Sequence, residues 1–508
     1  MMHGQGKSDL LIVPKKLSNN AGAPAAETVE GRGRAKGNAS RQSTCQTQSW
    51  ESVSQALERI RLAARREREG RFTVLLHHVR IDLLQWAFLQ LRKKAAPGID
   101  GVTWERYEAD LESNLTDLHR RVQRGVYRAS PSRRQYILKS DGRQRPLGIA
   151  ALEDVQRALL EVLNAIYETE FLGFSYGFRP NRSQHDALDA LATGVYRRKV
   201  NWILDADIRS FFDSISHDWM MKFLGHRIGD PRVLRLISKW LKAGVVEEGR
   251  WTQSTEGTPQ GAVISPLLAN LYLHYVYDLW AQQWRKRHAY GDMIVVRYAD
   301  DTIVGFQRRT DAERFLRALE ARLRQFTLEL NADKTRLIEF GRFAALSRQQ
   351  RGLGKPETFN FLGFTHICDK TGKGEFLLRR HSMRERVRTK LKEIKDTLMR
   401  WRHAPISYHG RWLGAVVRGW SAHHAVPTNA RALHSFYHHV LWYWLRALRR
   451  RGGRRHLNWA KMIAIAKTWL PPPRIIHPHP NKRFDVKHPR WEPSALAAHA
   501  RFCAGGAG

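Results

Sequence analysis

The sequence predicts an α+β chain in which a mixed part is followed by an all-helical, strongly basic one, and three observations predict it. Two apolar runs, Met293-Ile294-Val295-Val296 and Ile303-Val304-Gly305-Phe306, flank the acidic pair Asp300-Asp301 and read as strand, tight turn, strand. A further apolar run, Trp202-Ile203-Leu204, leads into acids at Asp205 and Asp207. Beyond Phe376, Val387, Leu391, Ile394 and Leu398 recur at helical spacing among Arg384, Arg388, Lys392 and Lys395, an amphipathic helix with a dense cationic face.

From the N-terminus, residues 1–50 are rich in Gly, Ala, Ser, Asn, Gln and Arg without apolar periodicity, and read as a disordered basic segment. Trp50 to Arg68 carries Val53, Leu57, Ile60 and Leu62 among many arginines, a basic amphipathic helix. Leu75 to Leu91 reads as another helix, closed by Pro97-Gly98. Tyr136-Ile137-Leu138-Lys139 and Arg143-Gln144-Arg145-Pro146-Leu147, joined by Ser140-Asp141-Gly142, predict a basic hairpin. Glu153 to Glu170 is helical, with Val155, Leu159, Leu163 and Ile166 as its core stripe. After the basic helix at Arg384, Trp412 to Trp420 and Leu433 to Leu448 give two more, three in all, ended by Arg449-Arg450-Arg451. The tryptophans Trp412, Trp420, Trp442 and Trp444 fall within apolar helical runs and are expected in the core. Leu470-Pro471-Pro472-Pro473 through His477-Pro478-His479-Pro480 breaks helices and predicts an extended strap. The divisions expected are therefore 1–50, 51–375, 376–470 and a Pro/His-rich tail over 471–508.

Bulk properties narrow the partner. The 508 residues, 42% of them hydrophobic and 17 of them tryptophan, suffice for about two to four packed domains. A formal charge of +38 self-repels, and solubility does not require it. Polyphosphate is the fitting counterpart, because each phosphate that Lys or Arg neutralises releases counterions. A membrane is not expected: the most apolar long segment, Gly261 to Trp280, contains Pro266, Asn270, His274 and Asp278. Cys45, Cys368 and Cys503 have no zinc or disulfide spacing, which fits a reducing cytoplasm.

Adjacent carboxylates repel and make poor strand residues, so Asp300-Asp301 call for compensating positive charge. An ordinary acidic turn is the default explanation for one such pair. A strand ending near Asp207 beside that turn would instead gather three carboxylates, and hard oxygen ligands suit two Mg²⁺ ions, with Mn²⁺ as a substitute. Asp205 shares the strand parity of Asp207, and periodicity cannot choose between them.

Further motifs stand in order along the chain. They are Ala96-Pro97-Gly98-Ile99-Asp100-Gly101, Tyr176-Gly177-Phe178-Arg179-Pro180-Asn181-Arg182-Ser183 and Gly257-Thr258-Pro259-Gln260-Gly261-Ala262-Val263-Ile264-Ser265-Pro266. Tyr298-Ala299-Asp300-Asp301, Leu330-Asn331-Ala332-Asp333-Lys334-Thr335 and Phe359-Asn360-Phe361-Leu362-Gly363-Phe364 follow. Together with Asp207-Ile208-Arg209-Ser210-Phe211-Phe212-Asp213, these resemble the bacterial group II intron-encoded reverse transcriptase/maturase family from about Val53 to Pro493.

That resemblance implies a right-hand polymerase fold, with fingers and palm over 51–375 and a helical thumb/maturase domain over 376–470. It implies an RNA-directed DNA polymerase that binds its group II intron RNA to assist splicing and supports mobility at target DNA. RNA template, DNA primer and dNTPs are the implied substrates. It selects Asp207, with Asp300 and Asp301, as metal ligands, and adds the backbone of Ile208. Lys139 and Arg145 would grip the triphosphate, Phe212 would bar a ribose 2′-hydroxyl, and Gln260 would lie near the nascent pair. Lys334 would orient the triphosphate or protonate pyrophosphate, or else serve as a structural ion pair. Phe361, Leu362 and Gly363 would support the primer end, while Arg384, Arg388, Lys392 and Lys395 would hold intron RNA. Many members append DNA-binding and nuclease modules; no Cys pair or His-Asn-His pattern follows here before Gly508. Two other readings remain open: a domesticated or defence-associated reverse transcriptase without an intron, and an RNA-binding splicing cofactor only.

Overall fold

Residues 44–138, 144–151, 154–259, 261–451 and 457–487 are described by the computed structural model, which mixes helices and sheets. Among them the strands form three sheets. The first joins the basic hairpin β1 (Ser132–Leu138) and β2 (Gln144–Ile149) to the short pair β4 (Val245–Glu247) and β5 (Arg250–Thr252). The second has the order β6-β7-β3-β8, with β3 (Trp202–Ala206), β6 (Met293–Tyr298), β7 (Asp301–Phe306) and β8 (Arg336–Glu339). The third, β9 (Phe359–Phe361), β10 (Phe364–Lys370) and β11 (Phe376–Ser382), is an antiparallel meander.

The second sheet is the organising layer. Side chains alternate across a strand, and here both faces are covered. Leu204, Val295, Val304 and Phe306 enter one large core built with the helices Asp154–Tyr167, Ser265–Leu273 and Arg309–Arg324. Ile203, Ile294, Val296, Ile303 and Ile338 enter a second, beneath the helix Gln184–Arg197 and the β9–β10 turn. Burial on two faces is why these strands read as continuous apolar runs rather than alternating ones. A third core, centred on Trp444, packs the helices Arg384–Arg400, Ile406–His424, Ala430–Arg449 and Trp459–Trp469.

Several elements differ from expectation. The first helix begins at Thr44, ahead of Trp50, and runs to Arg66. Leu75 to Leu91 divides into a 3₁₀ turn, Leu76–His78, and a helix, Ile81–Leu89. Residue 376 opens no helix: Phe376–Ser382 pairs with β10, its apolar residues satisfying a strand period before Arg384 starts the helical part. Among the described residues that part holds four helices up to Trp469, where three were expected. The fourth, Trp459–Trp469, is capped by the Asn458 side chain, which accepts from Lys461 N. Trp444 is buried, but Trp442 is 38% exposed beneath Arg446.

The tail is not wholly extended. Pro480–Lys487 is a helix lying on Gln184–Arg197, where Arg483 pairs with Asp189 and Arg197 with Asp485 (2.7 Å). The apolar segment after Gly261 is interior, a helix passing through a buried π-helical turn, His274–Asp278. No helix among the described residues is long and apolar enough to cross a membrane.

Candidate active site

Strand register brings three acids to one end of the second sheet. Tyr298 pairs with Asp301 across β6 and β7, so only Ala299 and Asp300 make the turn. Ala299 has φ 57°, the left-handed conformation such a tight hairpin demands at one residue. On the other side of β7, Ala206 pairs with Thr302, and the next residue outward on β3 is Asp207. Asp207, Asp300 and Asp301 are therefore neighbours by register, though 207 and 300 are far apart in sequence. Asp205, one pair deeper, lies opposite Ile303 and 4.0 Å from the Arg336 guanidinium.

Electrostatics at this end are unfavourable without a cation. Asp301 is exposed by area, yet its carboxyl is pushed up to about 7, first by loss of solvation in the crowded cleft. Asp300, Asp207 and Asp205 raise it further, and Arg386 opposes them. Asp205 is raised to about 6 by burial, with Arg336 opposing and Asp207 adding to the rise. The shorter of the two ion pairs here is that of Lys334, whose Nζ lies 2.9 Å from Asp207 Oδ2. Crowded hard oxygen donors suit a divalent ion in charge and in donor type. As arranged, no three His, Cys, Asp or Glu side chains among the described residues form a ready-made metal site.

Around the acids, the structure places most of the remaining residues singled out from sequence. Ile208 forms an isolated bridge with Leu330, flanked by hydrogen bonds from Asn331 N to Asp207 O and from Arg209 N to Glu329 O, both 2.8 Å. Phe211 and Phe212 form a 3₁₀ turn after Ser210; Phe211 is buried in the core while Phe212 is half-buried. The glycine-rich loop is tied to that turn, with Thr258 N donating to Phe212 O at 2.8 Å. A Cβ on Gly257 would lie 2.9 Å from the same carbonyl, so the loop's approach depends on glycine. Arg145 is opposite Ile137 in the basic hairpin. Lys139 and Gln260 lie outside the described residues.

Phe361, Leu362 and Gly363 form the β9–β10 turn, with Leu362 and Gly363 both at positive φ. His423 contacts the Leu362 carbonyl at 3.0 Å, tying this turn to the helical part. Arg384, Arg388, Lys392 and Lys395 are all exposed along one helix, in a stripe bordering the buried Leu391, Ile394 and Leu398 side.

Sequence reasoning missed two features. Arg386, on the same helix, reaches the Gly363 turn: a Cβ there would lie 2.9 Å from its Nη1. Its spacing from Arg384 and Arg388 puts it off their stripe, the only signal available. The second is Arg297, fully buried in a strand otherwise apolar up to that point. Its guanidinium meets Asp278 Oδ1 and Oδ2 at 2.7 and 2.6 Å, Asn270 Oδ1 at 3.0 Å, Ser175 Oγ at 2.7 Å and the Ala299 carbonyl at 2.9 Å. The Tyr176-Gly177-Phe178-Arg179 motif belongs to this network. Arg179 is buried against Glu168, and a Cβ on Gly177 would come 2.3 Å from Ala299 N. That segment supports the acidic turn from beneath.

The family model described as reverse transcriptase (RNA-dependent DNA polymerase) matches residues 137–366. Protein YkfC of Escherichia coli (strain K12) is 36% identical over 297 residues, covering 50% of this chain and 76% of that protein. Group II intron-encoded protein LtrA of Lactococcus lactis subsp. cremoris is 34% identical over 222 residues, 43% of this chain and 37% of that one. The putative COX1/OXI3 intron 1 protein of Saccharomyces cerevisiae is 26% identical over 368 residues, 63% of this chain and 43% of that one. The chain thus spans less than half the length of the last two relatives.

Proposed function

This chain belongs to the group II intron-encoded reverse transcriptase/maturase family, and from that premise we propose that it copies RNA into DNA and binds its own intron RNA to promote splicing. The observation that carries the first half is the meeting of Asp207, Asp300 and Asp301 at one end of β3, β6 and β7. In this reading those carboxylates hold two Mg²⁺ ions, with Mn²⁺ as substitute, and Ile208 adds a backbone oxygen. The chemistry such ions supply is stabilisation of charge on the attacking and leaving oxygens. Lys334 then leaves Asp207 for the triphosphate or pyrophosphate, joined by Lys139 and Arg145 from the basic hairpin. Phe212 packs against the sugar and bars a 2′-hydroxyl. Gln260 borders the nascent pair, and the Phe361-Leu362-Gly363 turn supports the primer end.

The second half is favoured by the exposed cationic stripe of Arg384, Arg388, Lys392 and Lys395 on the thumb/maturase domain. The partners proposed are intron RNA, an RNA template with DNA primer, dNTPs and target DNA, in a cytoplasmic setting. The test is extension of a DNA primer on an RNA template with Mg²⁺. Wild type should extend, and Asp300→Ala and Asp301→Asn should not, while all three bind intron RNA alike. Equal extension by the variants would remove the polymerase assignment from these acids.

A further inference from the structure

The acidic turn carries an internal contradiction that the buried network resolves. Ala299 is left-handed, a conformation that a residue with a Cβ adopts under strain, and the acids on and beside the turn repel one another. The holding groups come from below: Arg297 donates to the Ala299 carbonyl (2.9 Å), and Gly177 packs so closely that a Cβ on it would lie 2.3 Å from the Ala299 nitrogen. Asn270 links the two, donating through Nδ2 to the Gly177 carbonyl (2.6 Å) and accepting from Arg297 Nη1 (3.0 Å).

Arg297 is in turn fixed at both backbone and side chain. Its N donates to Phe174 O (2.9 Å) and its O accepts from Tyr176 N (2.8 Å). Asp278 grips the guanidinium with both carboxylate oxygens, each side chain 0% exposed. Asp278 ends the buried π-helical turn His274–Asp278, a local departure from the α-helical path of the kind often found at functional sites. A buried ion pair is a poor way to gain stability, since apolar residues of similar volume often do as well. Its use here, one residue from the hairpin turn, points to geometry.

We propose that Arg297, oriented by Asp278, is the positioning residue that fixes the Ala299 carbonyl and so aims Asp300 and Asp301. This rests on the polymerase reading of those acids. The consequence is specific: loss of the pair should impair the acids' common geometry, and with it divalent-ion binding and turnover, more than substrate binding.

The experiment uses the full chain and the double variant R297M/D278L, which removes both buried charges together and so avoids leaving one unpaired. Thermal unfolding verifies the fold; should the double variant show no cooperative transition, Arg297→Lys, which keeps the buried charge pair but loses the guanidinium fork that reaches the Ala299 carbonyl, is read in its place. Turnover of dNTPs should fall about 100-fold, the usual penalty of a small misplacement of reacting groups. The dNTP KM and primer–template Kd should stay within about threefold, since binding groups are untouched. Mn²⁺ binding, followed by its paramagnetic resonance signal without substrate, should weaken about tenfold. Adding Ala299→Gly to the double variant should recover part of the loss, because glycine takes the left-handed conformation without strain.

A folded variant with wild-type turnover and Mn²⁺ affinity would overturn the proposal. The two readings fail separately. If wild type does not extend primers while the variants still lose Mn²⁺ binding, the polymerase reading falls and the positioning pair stands.

Discussion

Lys334 holds Asp207 by an ion pair of 2.9 Å, across more than a hundred residues of chain and from the motif that follows the acidic turn. The pair is half-exposed at Lys334 and a quarter exposed at Asp207, so it contributes at most about 1 kcal/mol to stability. Lys334→Met should therefore shift the unfolding temperature little. Turnover should fall about 100-fold if the ammonium serves the leaving pyrophosphate as an acid. The Mg²⁺ concentration for half-maximal rate should fall, because Asp207 loses its competing cation. Unchanged turnover would make Lys334 a structural ion pair only.

Sugar discrimination should reside in Phe212 and not in Phe211. The two rings are adjacent, with centroids 5.4 Å apart, but Phe211 is 2% exposed and belongs to the main core. Phe212→Ala should raise rNTP incorporation relative to dNTP by about 10-fold or more, the scale of steric discrimination in a shaped pocket. Phe211→Ala should chiefly destabilise, by about 3–5 kcal/mol for a buried ring. Single-nucleotide incorporation with matched rNTP and dNTP measures the ratio. Relaxed discrimination in the Phe211 variant alone would move the gate one residue back.

Acid should loosen the joint between the second and third sheets. His366 is fully buried and stacked on Phe359 (4.7 Å, 7°), its pKa lowered to about 3 by burial and then by the Arg380 charge. His424, beside Ser382, is likewise lowered to about 3 by burial, with His423 and Arg386 adding. An unfolded histidine titrates near 6.5, so below that pH the unfolded chain binds protons that the folded chain refuses. This contribution is fully present above about 6.5 and is lost as pH falls toward 3. His366→Phe keeps a ring against Phe359 and removes the titration. Denaturant unfolding at pH 7 and pH 5 should then differ by about 2 kcal/mol less than in wild type. An unchanged difference would show that His366 does not carry the acid sensitivity.

The contrast between what is legible in the sequence and what is not has physical causes. The acidic hairpin, the strand ending near Asp207 and the core stripe of Asp154–Tyr167 can be read because period and turn chemistry are local. The start of the basic helical part cannot. Phe376–Ser382 alternates well enough for a strand, but its pairing with β10 is a tertiary fact, and the Arg-rich run after it masks the change of period. Pro480–Lys487 reads as extended chain because proline disfavours helix interiors; at the first helical position it is compatible with the helix. Arg297 is hidden for a different reason: a lone charge in an apolar strand has no periodic signature, and its partners Ser175, Asn270 and Asp278 are scattered along the chain. At the site, only the gathering of the acids is accessible to sequence reasoning; what holds them is not.

The last prediction separates RNA binding from synthesis. Arg384, Arg388, Lys392 and Lys395 are exposed, and helical spacing sets them in one stripe beside the buried Leu391, Ile394 and Leu398. Exposed cations of this kind contribute little to folding, so replacing all four by Gln should leave the unfolding temperature nearly unchanged. Each RNA phosphate that the variant no longer neutralises should lower the slope of log K against log salt by roughly 0.7–0.9. Intron RNA binding should therefore weaken most at low salt, and the variant and wild-type curves should converge as salt rises. Splicing at low Mg²⁺ should fail while extension of a short primer–template at high concentration persists, because the acids and the Lys334 pair are untouched. Asp300→Ala should give the opposite pattern, with splicing retained and synthesis lost. A fourfold variant that binds and splices as wild type across the salt series would place the RNA-binding surface elsewhere on the chain.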